Sequence, residues 1–378
     1  MVRTHVYKLK PTAKQVSGLE NYLRITRLVY NSALEQRIEA WKRGKSVSWI
    51  DQAAEIKDVR SEGFLDDIFV NVTKQTLKRL DLAYAAFFRR CKEGAKQKGF
   101  PRFKGARYWR SFAFPEYGNG CDIRDGRLRV SKIGSIRIRQ HRPLEGTPKT
   151  CMIVRKSDGW YVHIGCDLGD APALRGGDRK KGLDLGLESF ATLADGERIE
   201  NPRLLRHAER KLKHEQKSLS RKKRGSNRRN KQRERLALAH LKLARTRLDF
   251  HQKLALNLVQ RFDGIAVEEL TGIRARIRAR RPQRSRQSGW AFAQLRAFIE
   301  YKALLAGVPV IVVDPRNTSR TCPECGHCEK ANRHTQAEFV CRSCGHAAPA
   351  DINAARNIAS RAPVMEPMVR GGLSCAAA

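Results

Sequence analysis

The sequence predicts a multidomain α+β protein with a small metal-held module near its C-terminus. Three observations predict it. Stretches from Thr12 and from about Val70 to Arg90 follow a helical period, residues 105–168 break into short alternating strands, and from 181 onward buried strands alternate with helical stretches. Into the last run are set two Cys-x-x-Cys pairs, Cys322/Cys325 and Cys341/Cys344, with fifteen residues between them. At 378 residues the chain can form two or three domains with cores of their own.

Val2 to Leu9 alternates as a strand does and stops at Pro11. From Thr12 the period turns helical, with Leu19, Leu23, Leu28 and Val29 along one side. A second helix is expected from about Val70 to Arg90. Its stripe of Leu77, Leu80, Ala83, Tyr84, Phe87 and Phe88 reads as core rather than as a surface for stacking bases. Gly99-Phe100-Pro101-Arg102-Phe103 ends the helical part. Residues 111–115, 127–130, 135–138 and 160–164 then read as strands between glycine turns. Several alternate Arg or Lys with an apolar residue, so one face can line a small barrel while the other presents cations. Simple solvation and phosphate contact explain that cationic face equally well.

Leu168 to Lys180 is a linker, and Gly182–Leu187 with Ser189–Leu193 forms a hairpin of buried strands. Residues 203–247 hold 18 Lys or Arg against three acids (Glu209, Glu215 and Glu234), on two helical stretches joined at Gly225-Ser226-Asn227. That is far more cation than a solvated face requires, and it points to nucleic acid. Gly264–Leu270 is a strand, Arg274–Arg286 an arginine-dense loop, Trp290–Ala306 a helix, and Pro309–Pro315 a buried strand leading to the cysteines. The tail, 363–378, is expected to be disordered.

Composition narrows the partners. Seventy-six Lys+Arg against 38 Asp+Glu give a net charge of +38, which a polyanion offsets and rewards through counterion release. No apolar stretch approaches the roughly 20 residues that span a bilayer, and Met1-Val2-Arg3-Thr4-His5 lacks the apolar core of a secretory signal. The remaining cysteines are scattered without a disulfide framework, so a reducing cytoplasm is expected.

Two constellations carry chemistry. The paired cysteines have the spacing of a four-thiolate zinc ribbon, with Gly326 and Gly345 placed where each turn must curl under the metal. Cys328 lies near enough to compete, but the paired spacing favours Cys325. Three carboxylates also stand out. Asp184 interrupts an apolar strand, where an unpaired charge is costly. Glu268 or Glu269 ends a second apolar strand, and alternation alone does not choose between them. Asp351 opens an alanine-rich helix, where a cap is the plainer explanation for one aspartate alone. Together, acids at a hairpin, a strand end and a helix start have the layout of a ribonuclease-H-like nuclease. Such acids would hold two Mg²⁺ ions about 4 Å apart for in-line attack on a phosphodiester.

Four segments carry a resemblance to a known family: Gly182-Leu183-Asp184-Leu185-Gly186, Val267-Glu268-Glu269-Leu270, Asn317 through Gly326, and Asp351 through Ile358. Leu9-Lys10-Pro11-Thr12 with Tyr30-Asn31, Pro101-Arg102-Phe103-Lys104 with 111–115, and Glu300-Tyr301-Lys302-Ala303 extend it. In these the chain closely resembles TnpB, the OrfB proteins of bacterial insertion sequences and relatives of the type V CRISPR nucleases.

The resemblance implies a β-barrel wedge domain (1–12 and 105–170) with a helical recognition domain (13–104) inserted in it. It further implies a RuvC-type, RNase H-like α/β nuclease domain (181–318 and 347–362) split by a zinc ribbon (319–346) that binds the target nucleic acid. Asp184, Glu268 and Asp351 become its catalytic, Mg²⁺-binding acids, which chooses Glu268 over Glu269, and Cys322, Cys325, Cys341 and Cys344 its zinc ligands. Glu269 departs from the family, where Asp is commoner.

The implied activity is RNA-guided cleavage of double-stranded DNA beside a short transposon-adjacent motif, by a monomer, with guide RNA from the transposon end. In that frame Lys74, Gln75 and Lys78 are candidates for reading the motif. Arg221, Lys222, Lys223, Arg224, Arg228 and Arg229 are candidates for holding the guide or its heteroduplex. A DDE transposase and a non-catalytic RNA-binding protein are the rivals. The first usually ends its acid order in glutamate, and the second leaves Asp184 in its apolar strand unexplained.

Overall fold

Thr12 marks the first change of period. Its hydroxyl accepts from the Gln15 amide at 3.3 Å while the Gln15 side chain accepts from the Thr12 amide at 3.0 Å, a reciprocal cap that opens a 30-residue helix. The computed structural model describes residues 1–63, 65–186, 189–270, 292–335 and 337–362. The arginine-dense loop, Trp290 and the tail named above lie outside the described residues. The chain divides after Gly169 into two compact units.

In the first unit, β1 (Val2–Lys10) is followed by α1 (Ala13–Lys42), α2 (Trp49–Ser61) and α3 (Val70–Lys92). Then come β2 (Ser111–Phe114), β3 (Cys121–Arg124), β4 (Arg127–Val130), β5 (Gly134–Arg139), β6 (Thr147–Lys156) and β7 (Gly159–Asp167). These strands make one sheet in the order β2-β6-β7-β1-β5-β4-β3. Among the described residues its edges β2 and β3 do not pair, so the expected barrel is a half-barrel. Alternation within β4 and β5 buries Leu128, Val130, Ile136 and Ile138 and leaves Arg127, Arg129, Arg137 and Arg139 in solvent. The helices share that core: Tyr22 of α1 lies 4.8 Å from Phe112 of β2, centroid to centroid.

Three sequence expectations change here. Helix α2 was not expected, because it buries only Gln52 and Ile56, yet Ser48-x-x-Asp51 supplies its reciprocal cap. Leu28, placed on the apolar side of α1, is 45 % exposed. The α3 stripe is core at Leu77 and Leu80 but not at its end, where Phe88 is 59 % exposed.

The second unit contains β8 (Lys180–Asp184), β9 (Ser189–Leu193), β10 (Arg198–Glu200), α4 (Leu204–Ser220), α5 (Asn227–Arg261) and β11 (Gly264–Glu268). It continues through α6 (Phe292–Ala306), β12 (Val310–Val313), β13 (Glu338–Val340), β14 (Ala347–Pro349) and α7 (Ala350–Arg361). A five-stranded sheet has the order β10-β9-β8-β11-β12, with β8, β11 and β12 parallel and β9 and β10 antiparallel. Its two faces separate by strand parity. Ile265 and Val267 pack with Leu254, Leu258, Leu295 and Ile299 of α5 and α6, while Ala266, Ile311 and Val313 pack with Ile358 of α7. The basic stretch is a helical hairpin, α4 against α5, as expected.

Candidate functional site

Three carboxylates lie near enough at one edge of the second unit's sheet for the charges of Glu268 and Asp351 to act on Asp184. β8 and β11 run parallel with Val267 beside Leu183, so Asp184 and Glu268, the next residue on each strand, leave the sheet side by side. Helix α7 brings the third. It lies directly on Gly182, where any Cβ would sit 2.6 Å from the Ala359 nitrogen and on the Ala355 carbonyl. Only glycine permits that approach. Ala354, Ala355 and Ile358 form the buried side of the helix, and Asp351 stands in its first turn. The N-cap is Pro349, so Asp351 does not cap the helix.

The acids feel one another. Burial, then the charges of Glu268 and Asp351, push Asp184 up to about 8, against the pull of Arg333. Glu268 is also raised, first by burial, while a hydrogen bond from Thr318 and the charge of Arg361 oppose the rise. Glu269 faces elsewhere: its carboxylate takes a 2.7 Å ion pair from Arg296 of α6, which also binds Glu300 at 2.7 Å. Strand parity left this choice open; in the structure it is Glu268 that lies beside Asp184, while Glu269 pairs with Arg296.

A hydrogen-bond network that the sequence did not reveal holds this corner. The Thr318 hydroxyl donates to Glu268 Oε1 at 2.6 Å. Asn357 Nδ2 on α7 donates to the carbonyls of Thr318 (2.8 Å) and Thr321 (2.7 Å), and Asn353 Nδ2 donates to Thr321 at 3.0 Å. The available signal was two asparagines four residues apart on an alanine-rich helix, a spacing that puts both on one face.

Thr321 leads into the cysteine module. The four sulfurs of Cys322, Cys325, Cys341 and Cys344 lie within 4.8 Å of one another, with Cys322–Cys344 and Cys325–Cys341 both at 3.6 Å. Tetrahedral zinc with ~2.3 Å bonds requires sulfurs roughly 3.8 Å apart, so the set fits. Each pair has the same turn: Gly326 and Gly345 donate back to Cys322 and Cys341 with φ of +75° and +76°. Buried Asn332 ties the turns together, donating to the Arg320 and His327 carbonyls and accepting from the Arg342 amide at 2.9 Å. Cys328 is exposed and outside the cluster.

The cationic candidates sit apart from the acids in sequence and element. On α3, Lys74 and Lys78 are exposed and Gln75 is half-buried. At the α4–α5 turn, Arg221, Lys223, Arg224 and Arg228 are exposed and Lys222 half-buried. Arg229 differs from the rest, because its guanidinium donates to the Leu219 and Lys222 carbonyls at 2.7 Å and so closes the end of α4.

Residues 163–273 match the family described as "Probable transposase", residues 292–358 the "Cas12f1-like, TNB domain", and residues 1–46 a "Helix-turn-helix domain". In this chain the last segment is a strand and one 30-residue helix. A relative from Streptomyces pristinaespiralis, named as an RNA-guided DNA endonuclease, is 33 % identical over 368 residues, covering 94 % of this chain and 88 % of its own. A second from Escherichia coli K12, named RNA-guided DNA endonuclease InsQ, is 29 % identical and covers 93 % and 90 %. Among solved structures, a Cas12f1–sgRNA–target DNA complex shares the fold with a TM-score of 0.56 at 16 % identity, over 91 % of this chain and 82 % of that one. Identity sustained over nearly the whole of both chains establishes that this protein belongs to the TnpB (OrfB) family, relatives of the Cas12 effectors.

Proposed function

We propose that this chain is an RNA-guided DNA endonuclease of an insertion sequence, cutting DNA beside a short adjacent motif. The observation that carries the reading is that Asp184 is pushed up to about 8 by burial and by the neighbouring charges of Glu268 and Asp351. A buried cluster of like charges is unfavourable unless cations join it. Hard carboxylate oxygens suit Mg²⁺, which held there supplies Lewis-acid polarisation of the scissile phosphate and a nucleophile at neutral pH. The chain's own part is positional. Asp184 would give up its proton to serve as a ligand, Thr318 aims Glu268, and Gly182 lets α7 bring Asp351 near enough for its charge to act on Asp184.

The sheet topology supports a RuvC-like, ribonuclease-H-like assignment of residues 181–318 and 347–362. A hairpin bears one acid, the neighbouring parallel strand a second, and the helix across them the third. The half-barrel and its helices take the wedge and recognition roles, and the cysteine module binds zinc. The cationic α4–α5 turn holds guide RNA or its heteroduplex by phosphates.

The test is to purify the protein with its RNA, reprogram the guide, and follow cleavage of matching DNA. Asp184→Ala should abolish cleavage and keep guided DNA binding. Cleavage that ignores the guide, or that survives Asp184→Ala, refutes the reading.

A further inference from the structure

The last turns of α3 and the loop after them carry aromatics that neither the core nor the acid site uses. Phe88, Phe100 and Phe103 are 59 %, 46 % and 56 % exposed. Phe88 and Phe100 are held in place rather than left loose. Phe100 stands edge-on to Tyr84 and Phe87, with centroids 5.7 and 5.2 Å away and planes at 89° and 83°, and Phe88 stacks on Tyr84 at 6.1 Å. The loop is tied at both ends through its backbone. Arg90 donates to the Lys98 carbonyl at 2.6 Å and to the Gly99 carbonyl at 3.0 Å. The Asn31 amide brackets Lys104, donating to its carbonyl at 3.1 Å and accepting from its N–H at 2.8 Å.

Aromatic surface kept in water loses about 25 cal/mol for each Å² left uncovered, so a fixed, uncovered pair of rings points to an occupant. The surroundings say which kind. Between 87 and 107 there are eight Lys or Arg and one acid, Glu93. That field suits a base with its phosphate, whose flat face stacks on a ring while the backbone meets the cations. Position then selects among nucleic acids. At 100° per residue Phe88 lies within about 40° of Lys74 around α3, roughly 21 Å farther along the same exposed face, about six base pairs of duplex. Lys74 and Lys78 are exposed on that face and are the candidates for duplex contact.

We propose that Phe88 and Phe100 form a stacking platform for an unpaired base of the target DNA, one that the duplex gives up as it opens beyond the contacts of Lys74 and Lys78. The proposal rests on the RNA-guided reading above. Holding a base out of its stack is uphill by a few kcal/mol, and a ring that receives it offsets much of that cost.

The test uses the full-length protein with its RNA and a Phe88→Ala/Phe100→Ala double variant, both rings being exposed enough to leave the fold intact. On fully paired DNA, guided cleavage should fall roughly tenfold or more. On DNA with a short mismatched bubble placed where opening begins, the variant should match the wild type to within about twofold, since opening is already done. Phe88→Tyr/Phe100→Tyr should behave as wild type on both. Equal rates on paired DNA, or a defect the bubble does not relieve, overturn the platform. Loss of copurified RNA from the double variant makes RNA the occupant and overturns it too. A wild type that ignores its guide refutes the functional reading instead.

Discussion

Thr318→Val removes one hydroxyl and nearly nothing else, which makes it the sharpest probe of the acid site. The hydroxyl donates to Glu268 Oε1 at 2.6 Å from a side chain that is 3 % exposed, so water cannot readily replace it. A hydrogen bond to a charged group contributes about 1.5–3 kcal/mol, and each 1.36 kcal/mol is about one pKa unit. Glu268, already raised by burial, should therefore rise further in the variant, because the hydrogen bond that opposes the rise is gone. Groups that orient a metal ligand typically matter by about 10–100-fold in metal affinity. The expected result is a roughly tenfold or larger increase in the Mg²⁺ or Mn²⁺ concentration at half-maximal cleavage. The same change should appear in Mn²⁺ binding followed by electron paramagnetic resonance, without any DNA. Thr318→Ser keeps the donor and should restore most of the affinity. If valine and serine variants bind Mn²⁺ alike and as the wild type does, the hydroxyl does not position Glu268.

Asp184 should make the metal-free protein pH-sensitive: its folded value of about 8 lies above the ordinary 3.8, so the stability it permits is full below that ordinary value and is lost as pH rises through 8. Melting in EDTA should drop from pH 6 to 8, the slope should shrink in Asp184→Asn or excess Mg²⁺, and a slope identical in all three excludes Asp184 as its source. Gly182→Ala forces α7 off β8, because the new methyl meets the backbone of Ala355 and Ala359; a loss of about 3 kcal/mol or more is expected in urea unfolding, and an unchanged midpoint contradicts the packing. Cys322→Ser should release one equivalent of zinc on metal analysis, and through Thr321 and Asn357 it should also weaken Mn²⁺ binding at the acids, whereas a zinc-replete variant argues against the four-sulfur site. Reversing Arg221, Lys222 and Lys223 to Glu should weaken RNA binding evenly across guides and flatten log K against log salt by roughly 0.7–0.9 per lost phosphate contact; an unaltered slope returns the turn to a solvated surface.

What sequence alone determined is local in origin. Each cysteine pair lies within one turn, so spacing and a following glycine were enough to name all four sulfurs, and Cys325 rather than Cys328. The change of period at Thr12, the β8–β9 hairpin and the basic helical hairpin follow from periods and breakers over a few residues. The resemblance, read from segments scattered over the chain, named Glu268 where strand parity did not. Tertiary structure decided which surfaces are covered. Glu269 turns away because Arg296, 27 residues on, waits there. Asn353 and Asn357 looked like polar residues on a helix and are instead the bolts of the acid corner, since the carbonyls they satisfy belong to a loop 32 to 39 residues earlier. Phe88 and Leu28 carried the right period for burial and stay largely exposed, and among the described residues the sheet expected to close left β2 and β3 as edges. Periodicity specifies that a helix or strand has an apolar side; whether anything arrives to cover that side depends on segments far away in the chain, which no local pattern encodes.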